Sequence, residues 1–389
     1  MEILRVASSL HPEKPGGVGL HVHQMSSMQA DMGHDVTVLT SDNGDRSLPE
    51  YEERNGYSIV RHRQLCRPAG NSIIPGIINS LRKRGSEFDV IHAHSHLYFS
   101  SNITALLNKL MDTPLAVTNH GLFSQTAPEL VQKAFIPLIA RPTLNSADRI
   151  FCYTDIAKQE LRTRGISTSV SVISNGIDCG KFEPNPNIER KNQILFVGRL
   201  EYGKGPTYLV DAFDSIVENY PNYTLKIVGY GSLETKLKDM CEKRGISDKV
   251  VFAGEVEYSE MPRIYNESEI LASPTLTEAA VPRVVMEAWA CETPVVMSNI
   301  PEITDEHVGD AASLVPLEDA DALAKDIESL IEDEELCETM AKNGRDRVKN
   351  ELSWRKTVEE TTEELKSMSK TTDQKNRFKN IKASRSTGN

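Results

Sequence analysis

The stretch GRLEYGKG, residues 198–205, sets two cations, Arg199 and Lys204, among Gly198, Gly203 and Gly205 directly after the apolar run ILFV at 194–197. Glycines let backbone N–H groups approach an anion, arginine offers phosphate a planar fork and lysine a point charge. With a helix starting near Pro206, the stretch suits a diphosphate. Its spacing fits all but the last place of the P-loop pattern, where Ser or Thr must follow the lysine to hold Mg²⁺. Gly205 stands there instead. An arginine directly after the strand has no P-loop role, and here it can supply the charge that a metal would.

A second glycine-rich turn, HPEKPGGVGLHVHQM, carries Gly16, Gly17 and Gly19 into a helix, so that backbone can approach a ligand at the helix's positive end. It is not G-x-G-x-x-G, and no acidic residue closes a second strand to hold an NAD ribose. A plain tight turn explains these glycines as readily. In HAHSH, His92, His94 and His96 share one face if the strand continues. That geometry also suits zinc, yet no cysteine or carboxylate nearby completes a ligand set, which favours packing or hydrogen bonding to an acceptor. His120, in TNHG, follows an apolar strand and is placed to orient a ligand in the crevice where α/β sheets bind. Glu287 opens a helix in PRVVMEAWA, where a carboxylate can accept two hydroxyls at once.

These residues need elements to position them. Short β-rich runs alternate with helix-length amphipathic segments, as in βαβ units around parallel sheets. Strands are predicted near 3–7, 35–40, 89–93, 115–118, 149–153 and 170–173, then near 194–197, 224–228, 250–253, 269–272 and 294–297. The polar stretch 182–192, with two prolines, reads as a linker. The expected organisation is an α/β protein with Rossmann-like domains at 1–185 and 193–352, a helix at 353–368 crossing back to the first, and a basic Ser/Thr-rich tail at 369–389. That tail reads as disordered and solvated, with contact to anionic lipid as the alternative. The segment NSIIPGIINSLRKRG places five apolar residues beside Arg82, Lys83 and Arg84, either as a core-facing helix or as a face resting on an anionic membrane.

Composition bounds the rest. A chain of 389 residues with 39% hydrophobic and 26% charged residues is globular and long enough for two cores. A net charge of −12 argues against nucleic acid as a partner, so anionic ligands must be held by local cations. The six cysteines are scattered without C-x-x-C spacing and read as free thiols in a reducing compartment. The chain enters a strand at once and has no run of ~18 apolar residues, so the expectation is a cytoplasmic protein, with peripheral contact at the inner face of a membrane left open.

The ordered set PGGVGLHVHQM, HAHSH, TNHG, ISNGID, FVGRLEYGKG, IVGYGS and PRVVMEAWACETPVV resembles family 4 of the retaining glycosyltransferases from residue 1 to about 368. The resemblance implies the GT-B architecture: two Rossmann-like domains facing across a central cleft, sugar nucleotide mostly on the C-terminal one and acceptor mostly on the N-terminal one. It implies no metal and no cofactor beyond the nucleotide sugar, of UDP or GDP type. Arg199 and Lys204 would hold the donor's diphosphate, His120 would meet the donor sugar and Glu287 the ribose hydroxyls. The glycines at 16, 17, 19, 198 and 203 would line the donor. The family commonly separates two glutamates by seven residues, whereas Glu278 lies eight residues from Glu287, with Ala279 in the usual register. Either the loop bulges so that Glu278 reaches the sugar, or backbone N–H groups serve instead. Alternatives on the same fold are an epimerase or hydrolase of nucleotide sugars and a non-catalytic binding subunit; the latter should have lost the cations or His120. The acceptor, whether glycan, lipid-linked or small molecule, is not legible.

Overall fold

The computed structural model describes residues 1–14, 16–121, 129–278, 280–301, 303 and 305–369; Ala279 and the tail from 370 on lie outside them. Eight strands form the first sheet: β1 (Glu2–Val6), β2 (Asp35–Ser41), β3 (Tyr51–Arg54), β4 (Tyr57–His62), β5 (Val90–His94), β6 (Leu115–Thr118), β7 (Arg149–Cys152) and β8 (Val170–Val172), in the order β3-β4-β2-β1-β5-β6-β7-β8. Six form the second: β9 (Lys191–Val197), β10 (Thr224–Val228), β11 (Val250–Gly254), β12 (Ser268–Ser273), β13 (Val295–Ser298) and β14 (Ser313–Val315), in the order β11-β10-β9-β12-β13-β14. Among the strand pairs of the described residues, β3–β4 alone is antiparallel. Each sheet begins in its middle, grows to one side and then crosses to the other. The order therefore reverses between β1 and β5, and between β9 and β12, which are the topological switch points where α/β sheets bind ligands.

Alternation along the strands explains why both faces are covered. Leu4 and Val6 enter one core cluster and Ile3 and Ala7 the opposite one. In β9, Ile194 and Phe196 face one cluster while Leu195 faces the other. Each such aliphatic side chain, taken out of water, contributes ~1.5–3 kcal/mol.

The chain divides into two compact units, one of Met1–Ser174 joined by the chain from Thr357 on, the other Asn175–Lys356. The returning segment is a helix over 354–369. Its Leu365 and Met368 enter the first unit's core, Thr362 Oγ1 accepts a 2.8 Å hydrogen bond from Gln29 Nε2, and Glu364 pairs with Arg149 at 3.1 Å.

Several expectations change. The hairpin β3–β4 was not read from the sequence, although Asn55 and Gly56 at its turn, both with positive φ (47° and 78°), carry the signature of a two-residue hairpin. β14 was not read either. The stretch 182–192 is no free linker: Phe182 is fully buried in the second unit's core, Asn185 N donates to Asn266 Oδ1 at 2.8 Å, and Lys191 already belongs to β9. In the segment at 71–85, Ile74, Ile77 and Leu81 are buried in the first core, while Arg82, Lys83 and Arg84 stand exposed together with Pro75 and Asn79. Its apolar face is therefore spent on packing. All six cysteines are free thiols, and no helix among the described residues is long and apolar enough to cross a membrane.

Candidate functional site

In the second unit, the loops that leave β9, β10 and β12 interlock at the carboxyl ends of the strands. Gly198 N donates to Val228 O (3.0 Å) and Leu200 N to Tyr230 O (2.9 Å), while Leu276 N donates to Gly203 O (2.9 Å). Tyr202–Lys204 form one 3₁₀ turn, and Gly205, at φ 64°, starts the helix Pro206–Asn219. A Cβ at Gly205 would lie 1.9 Å from the carbonyl oxygen of Pro274. Serine or threonine cannot occupy that place, which is the physical reason that the P-loop pattern stops short here. Gly229 is constrained alike, its Cβ position 1.9 Å from Gly198 O.

Arg199 is exposed just past β9. Lys204 is about one-fifth exposed, and its ammonium forms an ion pair with the carboxylate of Glu278, which arrives from the loop after β12. The switch point between β9 and β12 thus brings Lys204 and Glu278 together, although 74 positions separate them in the chain. In spite of its shifted spacing, Glu278 reaches the loop that carries the cations.

Glu287 lies on the helix Arg283–Ala290 and is buried. Its Oε2 accepts from Tyr265 Oη at 2.8 Å, and its Oε1 accepts longer bonds from Tyr258 Oη (3.1 Å) and Arg283 Nε (3.2 Å). Burial pushes its carboxyl above the ordinary glutamate value, against the pull of Arg283 and the two tyrosines. Instead of a carboxylate open to two hydroxyls, the fold presents one whose oxygens already accept three side-chain bonds, two on Oε1 and one on Oε2.

The first unit gathers its chemistry at the β1/β5 switch point. Gly16 caps the helix Gly17–Asp31, with open space around the Cβ positions of Gly16 and Gly17, whereas a Cβ at Gly19 would stand 3.3 Å from His11 N. The preceding turn is clamped by the hairpin: Glu13 accepts 2.6 Å bonds from both Arg54 and Arg61, and Arg54 also donates to His11 O. His92 sits beside the buried Arg5, whose Nη2 is 3.4 Å from its Nδ1, and its Nε2 is 2.7 Å from Thr118 Oγ1. His94 Nδ1 lies 3.1 Å from His120 Nε2, and His120 Nδ1 lies 2.6 Å from Tyr153 Oη. The expected line of three histidines is corrected here. β5 ends at His94 and Ser95 turns to φ 65°, so His96 leaves the strand face. Those that cluster are His21, His94 and His120, with His21 and His120 rings 5.0 Å apart.

Burial holds His92, His94 and His120 neutral. His92 and His94 fall well below the ordinary histidine value, and His120 is lowered to about 3. Below pH ~6.5 the unfolded chain takes up protons there that the folded chain refuses, so stability falls as pH falls. Chemical denaturation at pH 7 and 5.5 should show a loss of roughly 1 kcal/mol for each of these three histidines. A His120→Gln variant should lose less. An equal loss in the variant would remove His120 from this set.

Sequence reading singled out Arg199, Lys204, Glu278, Glu287 and His120, and the fold joins Lys204 with Glu278 directly. It missed Tyr153, Tyr258, Tyr265 and Arg283. Tyr153 could have been found as a polar residue directly after an apolar strand. The tyrosines give no such signal.

Comparison with known proteins matches residues 15–181 to the model described as Glycosyltransferase Family 4, and residues 181–347 to that of Glycosyl transferases group 1. An uncharacterized glycosyltransferase of Methanocaldococcus jannaschii is 27% identical, over 93% of this chain and 97% of its own length. The gpi3 subunit of phosphatidylinositol N-acetylglucosaminyltransferase from Schizosaccharomyces pombe is also 27% identical, over 90% of this chain and 77% of its own. The solved structure of Anabaena HepE in complex with UDP superposes with a TM-score of 0.77 at 19% identity, covering 94% of this chain and 100% of that one. Two Rossmann-like sheets, the cationic glycine loop at the second switch point and two adjoining family matches lead to one conclusion: the chain belongs to glycosyltransferase family 4.

Proposed function

We propose that the protein is a retaining, metal-independent glycosyltransferase that moves a sugar from a nucleotide diphosphate sugar, of UDP or GDP type, to a glycan, lipid or small-molecule acceptor. The observation that carries this reading is the loop at the β9/β12 switch point, where Arg199 and Lys204 flank a turn that only glycine can make. In the reaction the bond between the sugar's anomeric carbon and the β-phosphate oxygen breaks, and its electron pair stays on the phosphate. The acceptor oxygen bonds to the same face of that carbon and its proton leaves to the departing phosphate. Arg199 and Lys204 stabilise the developing charge more in the transition state than in the ground state. His120 is assigned to the sugar's hydroxyls, Glu278 to the sugar side of Lys204, and Glu287 to the ribose. The relative named for phosphatidylinositol supports the lipid case among the acceptors.

A thermal-shift panel with UDP, GDP and ADP tests the donor, since a ligand at 100 times its Kd adds ~2.7 kcal/mol of stability. One nucleotide should stand out, and a flat panel would overturn the reading. Because fixed cations stand in for a metal's charge, transfer should persist in excess EDTA. Turnover lost to EDTA and restored by Mg²⁺ or Mn²⁺ would defeat the metal-free assignment.

A further inference from the structure

His21 from the helix Gly17–Asp31, His94 from the last position of β5 and His120 from the loop after β6 each offer one ring nitrogen, and these nitrogens lie within 4.8 Å of one another. His94 Nδ1 and His120 Nε2 are already 3.1 Å apart. On a tetrahedral ion bound at about 2.0–2.1 Å, adjacent nitrogens stand ~3.3 Å apart. The side chains come from separate elements of one packed unit, so the trio is held from three directions. His94 is fully buried and His21 is 3% exposed, so both imidazoles are held away from bulk water. Tyr153 Oη against His120 Nδ1 is an outer partner of the kind that fixes a metal-binding imidazole's tautomer and leaves Nε2 to the ion.

We propose that His21, His94 and His120 form a binding site for a borderline divalent transition metal, Zn²⁺ foremost, and that its occupation inhibits glycosyl transfer by engaging His120. The inhibitory half rests on the assignment of His120 to the donor sugar; the binding half does not. Three imidazoles suit Zn²⁺, Co²⁺ and Ni²⁺, not Mg²⁺ or Ca²⁺, and water fills the fourth position. The bound ion replaces the contact between His94 and His120 with two bonds to itself. It is therefore a brake on an enzyme that needs no metal, and trace zinc in a preparation would make EDTA raise its rate.

The test uses the full chain, stripped with EDTA and titrated with Co²⁺ alone. Saturation at one equivalent is expected, with a visible spectrum of low-coordinate nitrogen and oxygen ligation. The near-ultraviolet thiolate bands that any cysteine would add should be missing. Zn²⁺ should displace the Co²⁺, raise Tm and lower transfer by tenfold or more, with Mg²⁺ inert. His21→Gln and His94→Gln should each lose the cobalt spectrum, and whatever activity they keep should no longer respond to Zn²⁺. No saturable Co²⁺ binding, thiolate bands, or a spectrum unchanged in both folded variants overturns the site. The wild-type spectrum alone decides should the variants fail to fold. Cobalt bound through histidine with transfer indifferent to Zn²⁺ leaves the site standing and overturns the inhibition, and with it the role given to His120.

Discussion

Lys204→Ala is expected to lower kcat/KM by roughly 10²–10³-fold, about 2.7–4 kcal/mol, the loss typical of one donor to a developing oxyanion. The structure adds a second component. Glu278 is paired with Lys204, so removing the ammonium leaves a carboxylate beside the place assigned to the diphosphate, and like charges repel there. Arg199→Ala should also lower the rate, and it leaves Glu278 paired with Lys204. Glu278→Gln in the Lys204→Ala background should recover part of the loss, a coupling of ~0.5–3 kcal/mol for residues in contact. Steady-state kinetics on both single variants and the double variant measure it. Strictly additive losses would say that the pair does not form in the working enzyme, and a Lys204→Ala rate within about twofold of wild type would remove the diphosphate role altogether.

Gly205→Ala should damage the enzyme through backbone alone. The added methyl must lie where Pro274 presents its carbonyl oxygen, 1.9 Å away, and the residue must keep φ 64°. The left-handed backbone costs an L-residue ~1–2 kcal/mol. The collision has to be relieved by parting the 203–205 loop from the 274–276 segment, which sacrifices the bonds from Leu276 N (2.9 Å) and Thr275 Oγ1 (3.1 Å) to Gly203 O. Transfer should fall at least as far as in Lys204→Ala, with Tm lowered and far-ultraviolet circular dichroism preserved. A variant of normal rate and Tm would mean that the two loops are not packed in solution as described.

What could be read beforehand follows from what is local. Eleven of the fourteen strands were legible because each is a short apolar run between turn signals, and GRLEYGKG because its cations and glycines are neighbours in the chain. The hairpin at 51–62 was not read although Asn55-Gly56 marks its turn, because Glu52, Glu53 and Arg54 obscure its alternation. Nothing in the spacing of Glu278 and Glu287 tells where the first carboxylate goes. Its partner comes from another loop, and the switch point, a property of strand order, brings them together. The histidine trio was hidden for the same reason: His94 meets His21 and His120 only because a helix and two strands converge. HAHSH looked like the cluster because strand alternation was extended one residue too far, through Ser95.

The helix at 354–369 has a consequence for how the chain is made. Leu365 and Met368 belong to the first unit's core, and Thr362 accepts from Gln29, which itself accepts a 2.6 Å bond from the buried Arg5. Domains usually fold in order of synthesis. Here the earliest-made sheet has an apolar gap and an unfinished anchor for Arg5 until residue 368 has left the ribosome, after the whole second unit. A chain truncated after residue 356 should therefore carry a protease-resistant second unit behind a first unit still open to cleavage, and this enzyme would complete its first domain last.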